Sequence, residues 1–116
     1  DWSPDGRQII GGGPAAESDD EPVLYSYTLA TGTYTKFSAR AADAEWLRDS
    51  RRVLLLSARG LELLDTRTDT AHSILAASKR SDAATLKDMA LSADNSTVAW
   101  LEERRDGDIW LMETRR

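Results

Sequence analysis

Cysteine is absent from the 116 residues, so neither disulfides nor thiolate metal sites contribute, and the redox state of the compartment leaves no mark on the sequence. Histidine occurs once, at His72 in a strand-like stretch, and no Gly-x-Ser-x-Gly elbow is present; a Ser-His-Asp hydrolase therefore lacks its parts, and His72 reads as a surface strand position. No apolar run approaches the roughly 18 residues that a membrane-spanning helix needs, and no signal-peptide pattern stands at the start. Positive charge is scarce. Fifteen Lys and Arg against twenty Asp and Glu leave a net charge of −5, the wrong sign for phosphate-backbone binding, so neither nucleic acid nor membrane insertion is expected. What remains is a chain with 41% apolar and 30% charged residues, the composition of one globular domain with one core.

The most informative stretch is Trp2-Ser3-Pro4-Asp5-Gly6-Arg7-Gln8-Ile9-Ile10, because it returns twice in altered form. Its copies begin at Trp46 and Leu91, 44 and then 45 positions on, a period typical of propellers and other stacked repeats. After each anchor comes a series of short strands. In the first repeat these are 8–10, 23–29 and 34–38, with Ala30-Thr31-Gly32-Thr33 turning the second into the third. The second repeat has 52–57, 61–65 and 71–75 with the turn Arg67-Thr68-Asp69-Thr70, and the third has 97–102 and 108–112. A further strand precedes Trp46 (41–46) and Leu91 (85–91), but none precedes Trp2.

This arithmetic predicts an all-β chain: a partial β-propeller of about two and a half four-stranded antiparallel blades with a period of ~44 residues. The expected division is a first blade at 1–38 lacking its first strand, a second at 41–76, and a third at 85–116 lacking its fourth strand. A β-sandwich also uses short strands and frequent turns, yet it does not require one turn motif at a fixed long period. In 76–90 the good helix formers predict at most one helical turn.

In Ser3-Pro4-Asp5-Gly6, Pro presets φ, Asp accepts nearby backbone N–H bonds and Gly allows positive φ. Asp5, Asp49 and Asp94 are the constant element, which assigns them a structural role in the turn; Gly6 is replaced by Ser50 and Asn95. Asn95-Ser96-Thr97 matches a glycosylation sequon but reads as turn chemistry. Trp2 and Trp46 stand where a large ring can wedge between blades and bury on the order of 200 Å². Trp100 and Trp110 lie on later strands, where one of them is expected to face a neighbouring blade.

The residues Trp2 to Ile9 resemble the signature of the PD40, or WD40-like, repeat of TolB-type β-propellers, and the resemblance extends in register over the whole chain. Leu63-Leu64-Asp65-Thr66 and 109–114 resemble the family's third-strand segment. The family is mostly bacterial, with propellers typically of six or more blades; its members include a periplasmic protein, sensor regions of kinases and transcription regulators, and gating domains of prolyl-oligopeptidase-like peptidases. The resemblance thus implies a periplasmic or extracytoplasmic setting. It also implies that the partners are remaining blades of the same polypeptide or a second copy of the chain, because two and a half blades do not close a ring. The ragged start and the stop after a third strand favour an excised portion of a longer propeller.

Function is expected where the repeats differ. The insertion at 11–22 carries Asp19, Asp20 and Glu21, and that at 77–87 carries Lys79, Arg80 and Lys87; in a four-stranded meander both emerge on the same face. Gly11-Gly12-Gly13-Pro14 lacks the Lys-Ser/Thr ending of a phosphate loop and reads as a flexible connection. The acidic run matches no EF-hand spacing, so no metal and no cofactor is expected. The sequence therefore points to a non-catalytic scaffold that presents rigid loops to a protein or peptide ligand. The alternatives are an accessory propeller of a serine peptidase and the sensor region of a regulator.

Overall fold

The structure, a computed structural model, describes residues 1–13, 22–57, 59–76, 85–103 and 109–113, with the backbone alone at 76, 85–87, 102–103 and 109–113. Among these residues every regular element is a β-strand. The first sheet contains β1 (Gln8–Gly13), β2 (Val23–Thr28) and β3 (Thr33–Arg40). The second contains β4 (Asp43–Trp46), β5 (Arg52–Ser57), β6 (Gly60–Asp65) and β7 (Thr70–Ala76), and the third β8 (Thr85–Leu91), β9 (Thr97–Glu103) and β10 (Ile109–Glu113). Each sheet is a meander in which every strand pairs antiparallel with the next. A lone bridge between Trp2 and Ile9 stands at the place that β4 and β8 hold in the other two sheets.

The sheets stack face to face as three blades, because the middle strand of the middle blade is apolar on both sides. Val53, Leu54, Leu55 and Leu56 are at most 4% exposed. An unbroken apolar run of this kind suits a strand covered on both faces, whereas a half-exposed strand would alternate. Val53 and Leu55, with Trp46 and Leu64, pack on Ile10, Leu24 and Phe37 of the first blade. Leu54, Leu56 and Leu61 pack on Met89, Val98 and Trp100 of the third. At about 1.5–3 kcal/mol for each buried Val or Leu side chain, these four residues contribute as much as the net stability of a typical domain. The blades approach most closely along β4 and β8 and diverge outward, so these strands line the inner side of an arc.

The three repeated turns share one hydrogen-bond plan. In the first, Ser3 donates through Oγ to Asp5 Oδ1 (2.7 Å), which also accepts from Arg7 N–H (3.0 Å), while Ser3 Oγ accepts from Gln8 N–H (3.0 Å). The third repeats this with Ser92, Asp94, Ser96 and Thr97. In the second, Leu47 stands at the serine position, and Asp49 Oδ1 accepts from both Arg51 N–H (3.0 Å) and Arg52 N–H (2.9 Å), taking over the absent hydroxyl's bond. Gly6, Ser50 and Asn95 occupy equivalent left-handed positions at φ 72°, 55° and 60°.

Two expectations are corrected. Gly11, Gly12 and Gly13 do not form a flexible connection: they continue β1 and pair with Tyr25, Leu24 and Val23. A Cβ on Gly13 would run into the Tyr25 ring, and one on Gly12 would lie 2.7 Å from Pro22 Cβ, so glycine there lets two side chains lie flat on the strand. Trp2 does not wedge between blades. It is 57% exposed, against 5% for Trp46, because the second blade packs on the first whereas no described element covers Trp2. In 76–90 the described residues are extended, with β8 beginning at Thr85; 77–84 lie outside the described residues.

Candidate binding rim

Register brings three strand ends to one rim. Gly13 pairs with Val23, Ser57 with Gly60 and Gly60 with Ala76, so β1, β5 and β7 finish, and β2 and β6 begin, at the same end of their blades. Both length-variable connections, 14–21 and 77–84, depart from this rim. Asp19, Asp20, Glu21, Lys79 and Arg80 lie outside the described residues. Lys87 belongs to β8, at the register shift between Leu86 and Asp88, and so stands on a strand instead of in the connection.

Between the first two blades the rim opens into a cleft of about 190 Å³, bounded by Asp1, Gly12, Pro22, Ala42 and Asp43. Asp43 is the leading ionisable side chain along the inner edge. Burial raises its pKa above the ordinary value of 3.8, N–H bonds from Ala44 and Met89 oppose this, and the nearby Asp88 charge adds to the rise. Glu45, two residues along the same strand face, is also raised, first by burial and then by repulsion from Asp43 and Asp88. Sequence reasoning missed this group. The available signal was Asp43 and Glu45 alternating with Ala44 and Trp46 on a first strand, and Asp88 at the matching place in the next blade.

The outer side of the first blade presents a second concavity. Ile9, Gly11, Gly13, Tyr25, Tyr27 and Tyr34 form a shallow apolar groove of about 650 Å³, with the Tyr27 and Tyr34 rings tilted at a centroid distance of 4.9 Å. Where Leu55 fills the equivalent face of the second blade, Gly11 leaves open space.

The remaining singled-out residues are consumed by the scaffold. Asp5 is held below the ordinary carboxylate value by the Ser3 hydroxyl and then by Arg7 N–H. For Asp49, burial is the largest single influence and pushes upward, but the Arg52 and Arg51 bonds together outweigh it. Asp94 is lowered to about 2 by the Ser96 hydroxyl, Ser96 N–H and the Ser92 hydroxyl. Asp65 is lowered first by its bond from Arg51, which forms a two-pronged pair at 2.9 and 2.7 Å. His72 is exposed on β7. Among residues with described side chains, no group of three or more His, Asp or Glu is placed to hold a metal ion.

No family model matches the sequence, and no curated protein matches it. In three dimensions the chain is similar to TolB from Acinetobacter baumannii, with a TM-score of 0.71 and 16% identity, over 97% of this chain and 28% of that one. A protein from Agrobacterium tumefaciens assigned as a TolB matches with a TM-score of 0.71 and 17% identity, over 97% of this chain and 43% of that one. The β-propeller domain of the Trilobed protease from Pyrococcus furiosus, described as having an open velcro topology, matches with a TM-score of 0.59 and 17% identity, over 100% and 40%. The fold is therefore a partial β-propeller of TolB-like form, and the chain spans 28–43% of the length of these structures.

Proposed function

We propose that this arc of TolB-like propeller is a non-catalytic binding scaffold whose rim and inner edge engage a protein or peptide carrying basic groups. The observation that carries the proposal is the set of inner-edge carboxylates. Asp43 and Glu45 are partly buried, and Asp88 adds to the repulsion on both of them. A Lys or Arg side chain entering there would relieve that repulsion and gain charge-assisted hydrogen bonds. The hydroxyl and N–H partners of the turn aspartates lower their pKa values, whereas the bonds that Asp43 accepts from Ala44 and Met89 N–H, and Glu45 from Leu91 N–H, do not offset burial and repulsion. No covalent step is required: rigid strands hold the charges beside the rim where β1 ends at Gly13 and β7 at Ala76.

Calorimetric titration with oligolysine and oligoglutamate peptides tests the reading. Oligolysine is expected to bind, more weakly as salt rises, and to lose most of its affinity in a variant combining Asp43→Asn, Glu45→Gln and Asp88→Asn. Equal binding of both peptides, or oligolysine binding unchanged by the triple substitution, contradicts it.

A second reading is an accessory propeller that controls access to a peptidase. Its support is the similarity to the propeller domain of a protease. A hydrolase domain elsewhere in the same polypeptide would favour it.

A further inference from the structure

A side chain at positive φ is disfavoured, and glycine is the residue that avoids the conflict. The first blade follows this rule at both of its left-handed turn positions, Gly6 (φ 72°) and Gly32 (φ 66°). The later blades break it at the equivalent places, with Ser50 and Asn95 matching Gly6, and Asp69 matching Gly32 in the Thr-x-Thr turn. In every case the side chain reaches the blade before it. Ser50 Oγ accepts from Asp5 N–H at 3.1 Å, across the joint between the first and second blades. Asn95 Oδ1 accepts from Arg48 N–H at 2.7 Å, across the joint between the second and third. The Asp69 carboxylate accepts from Ser38 N–H at 3.0 and 3.1 Å and from the Ser38 hydroxyl at 2.6 Å.

A complementary bond runs the other way along the inner edge. Asp1 Oδ2 accepts from Trp46 N–H at 3.0 Å, and Glu45, one repeat later, accepts from Leu91 N–H. The residue before each anchor thus supplies an oxygen to the next blade's anchor. At the third blade that residue is Ala90, which has none to offer.

We infer that Ser50, Asp69 and Asn95 are inter-blade clasps, retained at left-handed positions because each ties its blade to the preceding one. With the Asp1 and Glu45 bonds they tie the middle blade to both of its neighbours and make the arc a stiff unit. Gly6 and Gly32, at the first blade's equivalent positions, carry no such side chain toward its outer face. That face presents apolar groups such as Ile9, Tyr25 and Tyr27 and no clasp of its own. A change from glycine to a side chain between repeats is therefore a gain of coupling, not a decay of the turn.

The test uses the 116-residue chain with Ser50→Gly, Asp69→Gly, Asn95→Gly and, as a control, Gly6→Ser, reading urea midpoints and amide exchange by NMR. Each glycine variant relieves backbone strain, so strain alone predicts a higher midpoint. The clasp predicts a lower one, with exchange about fivefold faster at a single remote amide, as loss of one hydrogen bond implies. That amide is Asp5 for Ser50→Gly, Ser38 for Asp69→Gly and Arg48 for Asn95→Gly. Gly6→Ser is expected to lower the midpoint as well, having strain without a partner. Higher midpoints in the glycine variants, or unchanged exchange at those three amides, overturn the inference.

Discussion

Two groups of carboxylates give this molecule opposite responses to acid. Asp5, Asp49, Asp65 and Asp94 have pKa values lowered in the folded state, so their contribution to stability is present above the ordinary 3.8 and is lost as pH falls; for Asp94 the loss completes near pH 2. Asp43 and Glu45 are raised, so what they contribute is present below their ordinary values of 3.8 and 4.5 and is lost as pH rises through the shifted pKa. Asp43→Asn, which keeps an acceptor for Ala44 N–H, is accordingly expected to raise the thermal midpoint at pH 7, with the gain shrinking toward pH 4. A midpoint unchanged or lowered at pH 7 would show that burial and the Asp88 charge do not disfavour the Asp43 carboxylate. The tryptophans make a second residue-level comparison. Trp46 is buried and its Nε1–H donates to Asp1 O at 3.1 Å, whereas Trp2 is 57% exposed. Trp46→Ala should cost about 3–5 kcal/mol in urea unfolding, and Trp2→Ala less than about 0.5 kcal/mol.

At the scale of the element, the strands and turns were legible because their signals are local. Val23–Thr28 is β-branched and aromatic, and Ser-Pro-Asp-Gly carries its own turn chemistry. The end of β1 was not legible. Glycine has no side chain to show a period, and the strand conformation of Gly11–Gly13 depends on Tyr25 and Pro22, which lie beyond an intervening connection. This leads to a graded prediction within three residues. Gly11→Ala meets nothing within 4 Å and should stabilise the chain by about 0.5–1 kcal/mol through the unfolded state. Gly12→Ala presses on Pro22 and should cost about 1–3 kcal/mol. Chemical denaturation of the two variants checks both signs; a stabilising Gly12→Ala would mean that Pro22 does not pack as described.

At the scale of the whole molecule, what escaped the sequence is what joins one repeat to another. The clasps bridge 31 to 47 residues, and Asp43 and Glu45 meet Met89 N–H, Leu91 N–H and the Asp88 charge of the next blade. The sequence places both insertions on one face of the meander, whereas the charged inner edge was not legible in it. The central claim is that three blades stack in an arc with the middle one covered on both faces, and β5 provides the most direct test. Methyl-labelled NMR of the chain should show Val53 and Leu55 in contact with Ile10 and Leu24, while Leu54 and Leu56 contact Met89 and Val98. Contacts from only one of these two sets, as in a two-layer sandwich with the other set facing solvent, would contradict the arc.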